Sequence, residues 1–236
     1  MRKISKILKE TEADMGIGAM IVFIAMVLVA GIAASVLIQT ANRLEIQAMT
    51  TGQQTTNEVA SGISVESICG QKTGSYNVSG VVGTIGYWAN GTIANATICV
   101  SPRSGSKDID LSKTVIECSD SSTKIVMNYT TTLWYLNPDP AGIFATAAFG
   151  GSAKSFGVIV LEDADHSCTS TNPVINRGDH VVLTISPARA FPSTSGNSGW
   201  QERSDIWGMV IPEDGAAGIF AFRTPASFSE TIYDLY

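Results

Sequence analysis

The sequence predicts an α+β chain: a long N-terminal hydrophobic α-helix, then an all-β sandwich domain of immunoglobulin-like or Greek-key type. Three observations carry this. The 28 residues from Met15 to Asn42 hold no charge, with Asp14 before them and Arg43 after. From about Ile63 the chain turns rich in Ser, Thr, Val, Ile and Gly, and all eight prolines lie at or beyond Pro102. Beyond that shift, short β-branched and aromatic runs alternate with turn residues.

A bilayer is crossed by ~20 apolar residues, so the uncharged run is long enough to span one. Met1–Ala13, MRKISKILKETEA, precedes it, basic at first and acidic at its end. Three readings compete. A secretory signal has a shorter apolar core and a small-residue cut site, for which Gly31-Ile32-Ala33-Ala34-Ser35 could serve. A plain anchor would keep its Lys and Arg residues on the cytoplasmic side. A leader cut before the run would leave the helix on the mature protein. Small residues at Ala25, Ala30, Gly31, Ala33 and Ala34 favour this third reading, because they let helix backbones approach closely.

Past Asn42 the pattern continues as one stripe, Leu37, Ala41, Leu44 and Ala48, at helical spacing. A helix from Met15 to about Ala60 would be roughly 70 Å long at ~1.5 Å per residue, more than two bilayer cores. Thr50–Thr56 has low helix propensity, which points to a bend or hinge, with a solvated continuation of the helix as the alternative. The strand-like runs that follow are VSGVVGTIGYWA, TIANATICV, IVMNYTTTLWYL, FGVIVLE, HVVLTIS, IWGMVIP and AGIFAFR. No credible helix separates them, which is the pattern of a sandwich or Greek-key barrel.

Charge narrows the function. The chain carries 15 Lys+Arg against 21 Asp+Glu, a net charge of −6. Removal of Arg2, Lys3, Lys6 and Lys9 together with Glu10 and Glu12 would leave it near −8. Nucleic acid is thereby excluded as a partner, since phosphate neutralisation needs clustered basic residues. Cys69, Cys99, Cys118 and Cys168 form no CxxC pair, which argues against a zinc ribbon. In an exported chain they are candidates for disulfides of undetermined connectivity, with four reduced, buried cysteines as the alternative.

GIGAMIVFIAMVLVAGIAASVLIQTA, from Gly16 to Ala41, closely resembles the N-terminal segment of archaellins, the archaeal flagellins of the type IV pilin-like superfamily. A second resemblance lies at the other end, where GMVIPEDGAAGIFAFRTPASFSETIYDLY is similar to the family's ending. The resemblance implies a class III leader, residues 1–13, removed by a dedicated membrane peptidase. The cut falls two residues before Gly16, between Ala13 and Asp14. The leader departs from the family's usual form in carrying Glu12-Ala13 before the cut. Residues 14–62 would then form the helical filament core and residues 63–236 the outer domain. The core-forming side chains are Ile17, Ile21, Val22, Phe23 and Ile24, followed by Met26, Leu28, Val29, Val36 and Leu37.

Four N-x-S/T sequons, at Asn77, Asn90, Asn95 and Asn128, make surface N-glycosylation an expectation. Strand alternation turns Asn95 and Thr97 outward and Ala94, Ala96 and Ile98 inward, so Asn95 should be accessible. Arg177-Gly178-Asp179 spells an adhesion tripeptide but reads as a turn into HVVLTIS. Glu162, Asp163, Asp165, His166 and Cys168 cluster after FGVIVLE. No cofactor is expected there, since EF-hand spacing is absent and a solvated acidic loop suffices; a structural Ca2+ is the alternative. No GxSxG, HExxH or Walker pattern occurs, so no catalytic residue is assigned and no enzyme is expected.

These readings converge on an archaellin-like structural subunit. Its expected partners are copies of itself or of other archaellins, the leader peptidase, the membrane-bound assembly ATPase and platform, and the membrane that holds the precursor. The expected location is an extracellular filament. Alternatives are a pilin-like surface adhesin and a membrane-anchored β-domain binding protein.

Overall fold

The computed structural model describes residues 2–72, 91–192 and 198–236, with side chains from residue 16 onward. Helix α1 spans Arg2–Ala60 without a break. It therefore begins well before Met15 and runs through Thr50–Thr56 as a solvated continuation of the helix, not as a bend or hinge. The Thr50 hydroxyl donates to the Gln47 carbonyl at 3.0 Å, and Thr40 does the same to Leu37 at 2.9 Å. This back-bonding satisfies the hydroxyl inside the helix instead of drawing the backbone out of it. The chain divides into two compact units between Gln54 and Thr55.

The second unit is built on strands β1 (Ile63–Lys72), β2 (Ile93–Pro102), β3 (Ile109–Asp110), β4 (Val115–Ser119), β5 (Lys124–Leu136) and β6 (Ser155–Glu162). They are followed by β7 (Val174–Ile175), β8 (His180–Ile185), the short helix α2 (Pro187–Ala190), β9 (Asp205–Ile211), β10 (Gly218–Arg223) and β11 (Ile232–Asp234). Six of the seven strand-like runs coincide with strands; the run VSGVVGTIGYWA lies outside the described residues. β1 and β4 carry too few apolar residues in alternation to stand out in the sequence. They are held by pairing, β1 between β2 and β11, and β4 between β5 and β9.

Nine strands form one sheet in the order β10-β9-β4-β5-β6-β8-β2-β1-β11, while β3 and β7 pair separately. Every pairing in the large sheet is antiparallel except β5 with β6. The two layers expected of a sandwich are thus parts of a single curled sheet. Near its start β1 meets β10 again: Gly62 bridges Ala216 in parallel fashion, and Gly218 abuts Ile63 and Val65. Ile63, Ile98, Val100, Phe156, Leu183, Val210 and Phe220 fill the enclosed core, none more than 1 % exposed.

A parallel pair cannot be joined by a hairpin and needs a crossover. Here the β5–β6 connection carries two 3-10 turns, Ile143–Ala145 and Ala147–Phe149. It lies over the outer face of the sheet, where Ala148 packs with Ile159 and Val182 in a small second core against Cys99 and Tyr135.

Candidate assembly surface and the sites of the outer domain

Every residue of α1 from Gly16 to Thr56 is exposed. The ten apolar side chains named above are all exposed, with Ile24 lowest at 53 % and Leu37 highest at 69 %. A helix apolar on all sides belongs inside a protein core or a membrane, not in water. Val22, Ala25, Met26, Val29, Ala30 and Ala33 line a shallow apolar groove along it. They recur at three- and four-residue spacing, and the alanines leave room for a neighbouring helix to approach. Nearer the second unit the stripe narrows to Leu37, Ala41, Leu44 and Ala48. Ala13 and Asp14 lie in helical backbone.

Where α1 ends, Ser61 and Gly62 are held by a distant turn. Ala216 donates to the Ser61 carbonyl at 2.8 Å, and Ile63 donates to the Ala216 carbonyl at 3.1 Å. Arg103 donates to the Gly62 carbonyl at 2.9 Å, and the Ser106 hydroxyl accepts from the Gly62 N–H at 3.3 Å. Gly215 has φ +97°, and a Cβ there would stand 2.4 Å from the Ser61 carbonyl oxygen. The glycine is required on both counts.

Of the four sequons, Asn77 and Asn90 lie outside the described residues. Asn128 is exposed on β5. Asn95 is half-buried and donates to the Gln71 side chain at 3.2 Å. Alternation does turn Asn95 and Thr97 away from Ala96 and Ile98, but the accessibility expected of that face is not found: Thr97 is 5 % exposed. Thr97 pairs with Thr184, whose hydroxyl donates to Ala148 in the crossover lying above.

The four cysteines are free thiols, not disulfides. Cys69 and Cys99 lie on paired strands, but the register sets Cys69 opposite Thr97 and Cys99 opposite Ser67. Diagonal positions are about 7–8 Å apart, beyond the usual Cα reach of a disulfide. Cys118 is buried in β4 and Cys168 in the β6–β7 connection. Burial pushes the Cys118 thiol up to about 12 and Cys168 to about 11, so both remain protonated at neutral pH.

The acidic cluster is real but differently composed. Asp163, Asp165 and Asp179 bring carboxylate oxygens within 4.8 Å of one another. Glu162 and His166 stay exposed, and Cys168 is buried. Asp163 accepts from the Ser167 and Cys168 N–H groups at 3.2 and 3.0 Å, and Asp165 from Asn176 Nδ2 at 2.6 Å. Asp179 accepts from the Asn176 N–H at 2.8 Å. Burial holds the Asp179 carboxyl above the ordinary aspartate range, with Asp163, Asp165 and Glu162 adding to the effect. The Asn176 hydrogen bond draws Asp165 the other way. Three oxygen donors at this spacing suit a hard cation such as Ca2+. Sequence reasoning placed Asp179 only in a turn; at 2 % exposure it is turned inward, so the adhesion tripeptide is not displayed.

Compared with known proteins, residues 13–222 match the family model of archaeal-type flagellin. The chain belongs to the archaeal-type flagellin family. It is 38 % identical to flagellin B2 of Methanocaldococcus jannaschii over 97 % of this chain and 96 % of that protein. Flagellin B3 of Thermococcus kodakarensis is 34 % identical over 93 % and 96 % of the two chains. The crystal structure of flagellin FlaB1 from M. jannaschii superposes with a TM-score of 0.59 at 26 % identity, covering 75 % of this chain and 97 % of that one. The subunit of the archaeal flagellum of Methanospirillum hungatei shares the fold at 15 % identity, with a TM-score of 0.56 over 93 % and 98 % of the two chains. In this flagellin the C-terminal segment that carried the second resemblance supplies Gly215 and Ala216, the residues that hold Ser61 and Gly62. No sequence periodicity pointed to that contact, because it joins positions more than 150 residues apart.

Proposed function

We propose that this flagellin is a structural subunit of the archaeal swimming filament, polymerising through α1 once its leader has been removed. One observation carries the reading above all: α1 exposes apolar side chains over a length that a bilayer does not require. The precursor sits in the cytoplasmic membrane through Met15–Asn42, with Arg2, Lys3, Lys6 and Lys9 on the cytoplasmic side. A membrane peptidase cuts between Ala13 and Asp14. An assembly ATPase with its membrane platform then draws the helix into the growing filament outside the cell.

The helix must therefore suit two environments in turn. Relative to water, burial among neighbouring helices gains ~25 cal/mol for each Å² of apolar surface. Relative to lipid that gain vanishes, and close packing along the alanine-lined groove must supply the difference. Subunits related by a screw operation make heterologous contacts that never close, which is the geometry of a filament. The chain is a building block with no catalytic role.

N-terminal sequencing of the mature protein tests the route. A start at Asp14 in material recovered from swimming filaments is the expected result. A start at Ser35 would mean an ordinary signal peptide, and an intact Met1 found only in membranes would mean an anchored binding protein. Recovery in static pili alone would make it an adhesin.

A further inference from the structure

On the outer face of β1, β2 and β8, three metal-ligating side chains of different chemistry meet. Glu66 Oε2 lies 3.8 Å from Cys99 Sγ and 3.3 Å from His180 Nδ1. The other carboxylate oxygen, Oε1, accepts from the Ser101 hydroxyl at 2.6 Å, which fixes the carboxylate's orientation. Regular strand alternation would not make this arrangement. β1 has a register shift between Val65, opposite Val100, and Ser67, opposite Cys99, and Glu66 is the additional residue. Such a bulge re-aims a side chain. A second shift lies in β6 between Val160 and Glu162, beside His180. The sequence separates the three residues widely, so no ligand spacing betrays them.

We propose that Glu66, Cys99 and His180 bind one Zn2+ ion through a carboxylate oxygen, a thiolate and an imidazole nitrogen, with water in the fourth position. Ordinary zinc bond lengths in a tetrahedron set the nitrogen and oxygen ligands about 3.4 Å apart and the sulfur and oxygen about 3.6 Å apart. The observed separations, 3.3 and 3.8 Å, are close to those edges before any ion is bound. Cys99 Sγ and His180 Nδ1 stand more than 4.8 Å apart, so binding requires both side chains to rotate toward each other about the shared carboxylate. Thiolate and imidazole select a borderline-soft ion over Ca2+ or Mg2+. The site is open on one side, with Glu66 and His180 side chains each 39 % exposed. On the other side Cys99 packs against the second core of Ala148, Ile159 and Val182.

Proton balance follows from the thiol. Burial, then the Glu66 charge, pushes Cys99 up to about 11, so the free site holds a neutral S–H. Binding replaces that proton with the metal and releases it to solvent.

Cobalt titration of the metal-stripped full chain, in detergent under anaerobic reducing conditions, tests the proposal. The expected result is a thiolate-to-cobalt charge-transfer band that saturates at one equivalent and is displaced by Zn2+. Cys99→Ser should abolish the band. His180→Gln and Glu66→Gln, both at accessible positions, should each weaken binding at least about tenfold, with near-ultraviolet circular dichroism confirming an intact fold. Absence of the band in the wild-type chain would overturn the proposal, as would wild-type affinity in folded His180→Gln or Glu66→Gln.

Discussion

Asp179 is buried, and burial first, with the nearby carboxylates adding to it, raises its pKa above the ordinary 3.8. A carboxyl that binds its proton more tightly in the folded state destabilises that state once pH rises above its folded pKa. The penalty is absent below the unfolded value. Asp179→Asn keeps an oxygen for the Asn176 N–H and removes the charge. In chelator at neutral pH its melting temperature should rise by about 2–4 °C, and the gain should fade as pH falls through the raised folded pKa and be gone below the unfolded value near 3.8. Thermal unfolding at the two pH values checks both. Gly215→Val forces a Cβ against the Ser61 carbonyl at a positive φ, and should cost about 1–3 kcal/mol in denaturant unfolding. If the chain is N-glycosylated, glycopeptide mass spectrometry should find Asn128 occupied and Asn95 bare, because Thr97 is buried under the crossover. At this scale the sequence identified residue types but not company. Alternation gave the correct face for Thr97, and only the crossover determines that the face is covered. Asp163 and Asp165 were legible as neighbours in sequence, whereas Asp179 joins them across a turn.

Among the elements, α1 was legible because an uncharged run of this length has few alternatives, and the helical stripe extended it. Its continuity through Thr50–Thr56 was not, since intrinsic propensity is a weak prior and the Thr50 hydroxyl finds its partner within the helix. The strands with long apolar alternation, β2, β6, β8 and β9, were visible in the sequence. β1 was not, because polar ISVESICGQK depends on its neighbours for pairing. Leu28 is 61 % exposed on α1, in the stretch that assembly would bury. Leu28→Lys should therefore abolish filaments while leaving the outer domain folded, through an unpaired charge in the bundle. Electron microscopy of surface material, beside circular dichroism of the purified chain, reads the two outcomes separately.

For the molecule as a whole, the sequence pointed to the division into a helix and a β domain but not to the topology of that domain. A parallel β5–β6 pair and a sheet curled back toward β1 arise from contacts between distant positions, which local periodicity does not encode. The helix and the outer domain answer different demands: α1 carries no charge from Met15 to Asn42, and the outer domain carries its own enclosed core. A subunit of this kind is complete only among its copies. Electron cryomicroscopy of the purified surface filament tests that claim most directly. The account predicts that α1, beginning at Asp14, lies in the filament core with Phe23, Leu28 and Leu37 packed against neighbouring copies. A filament in which those side chains face solvent, or one that lacks this chain altogether, would contradict it.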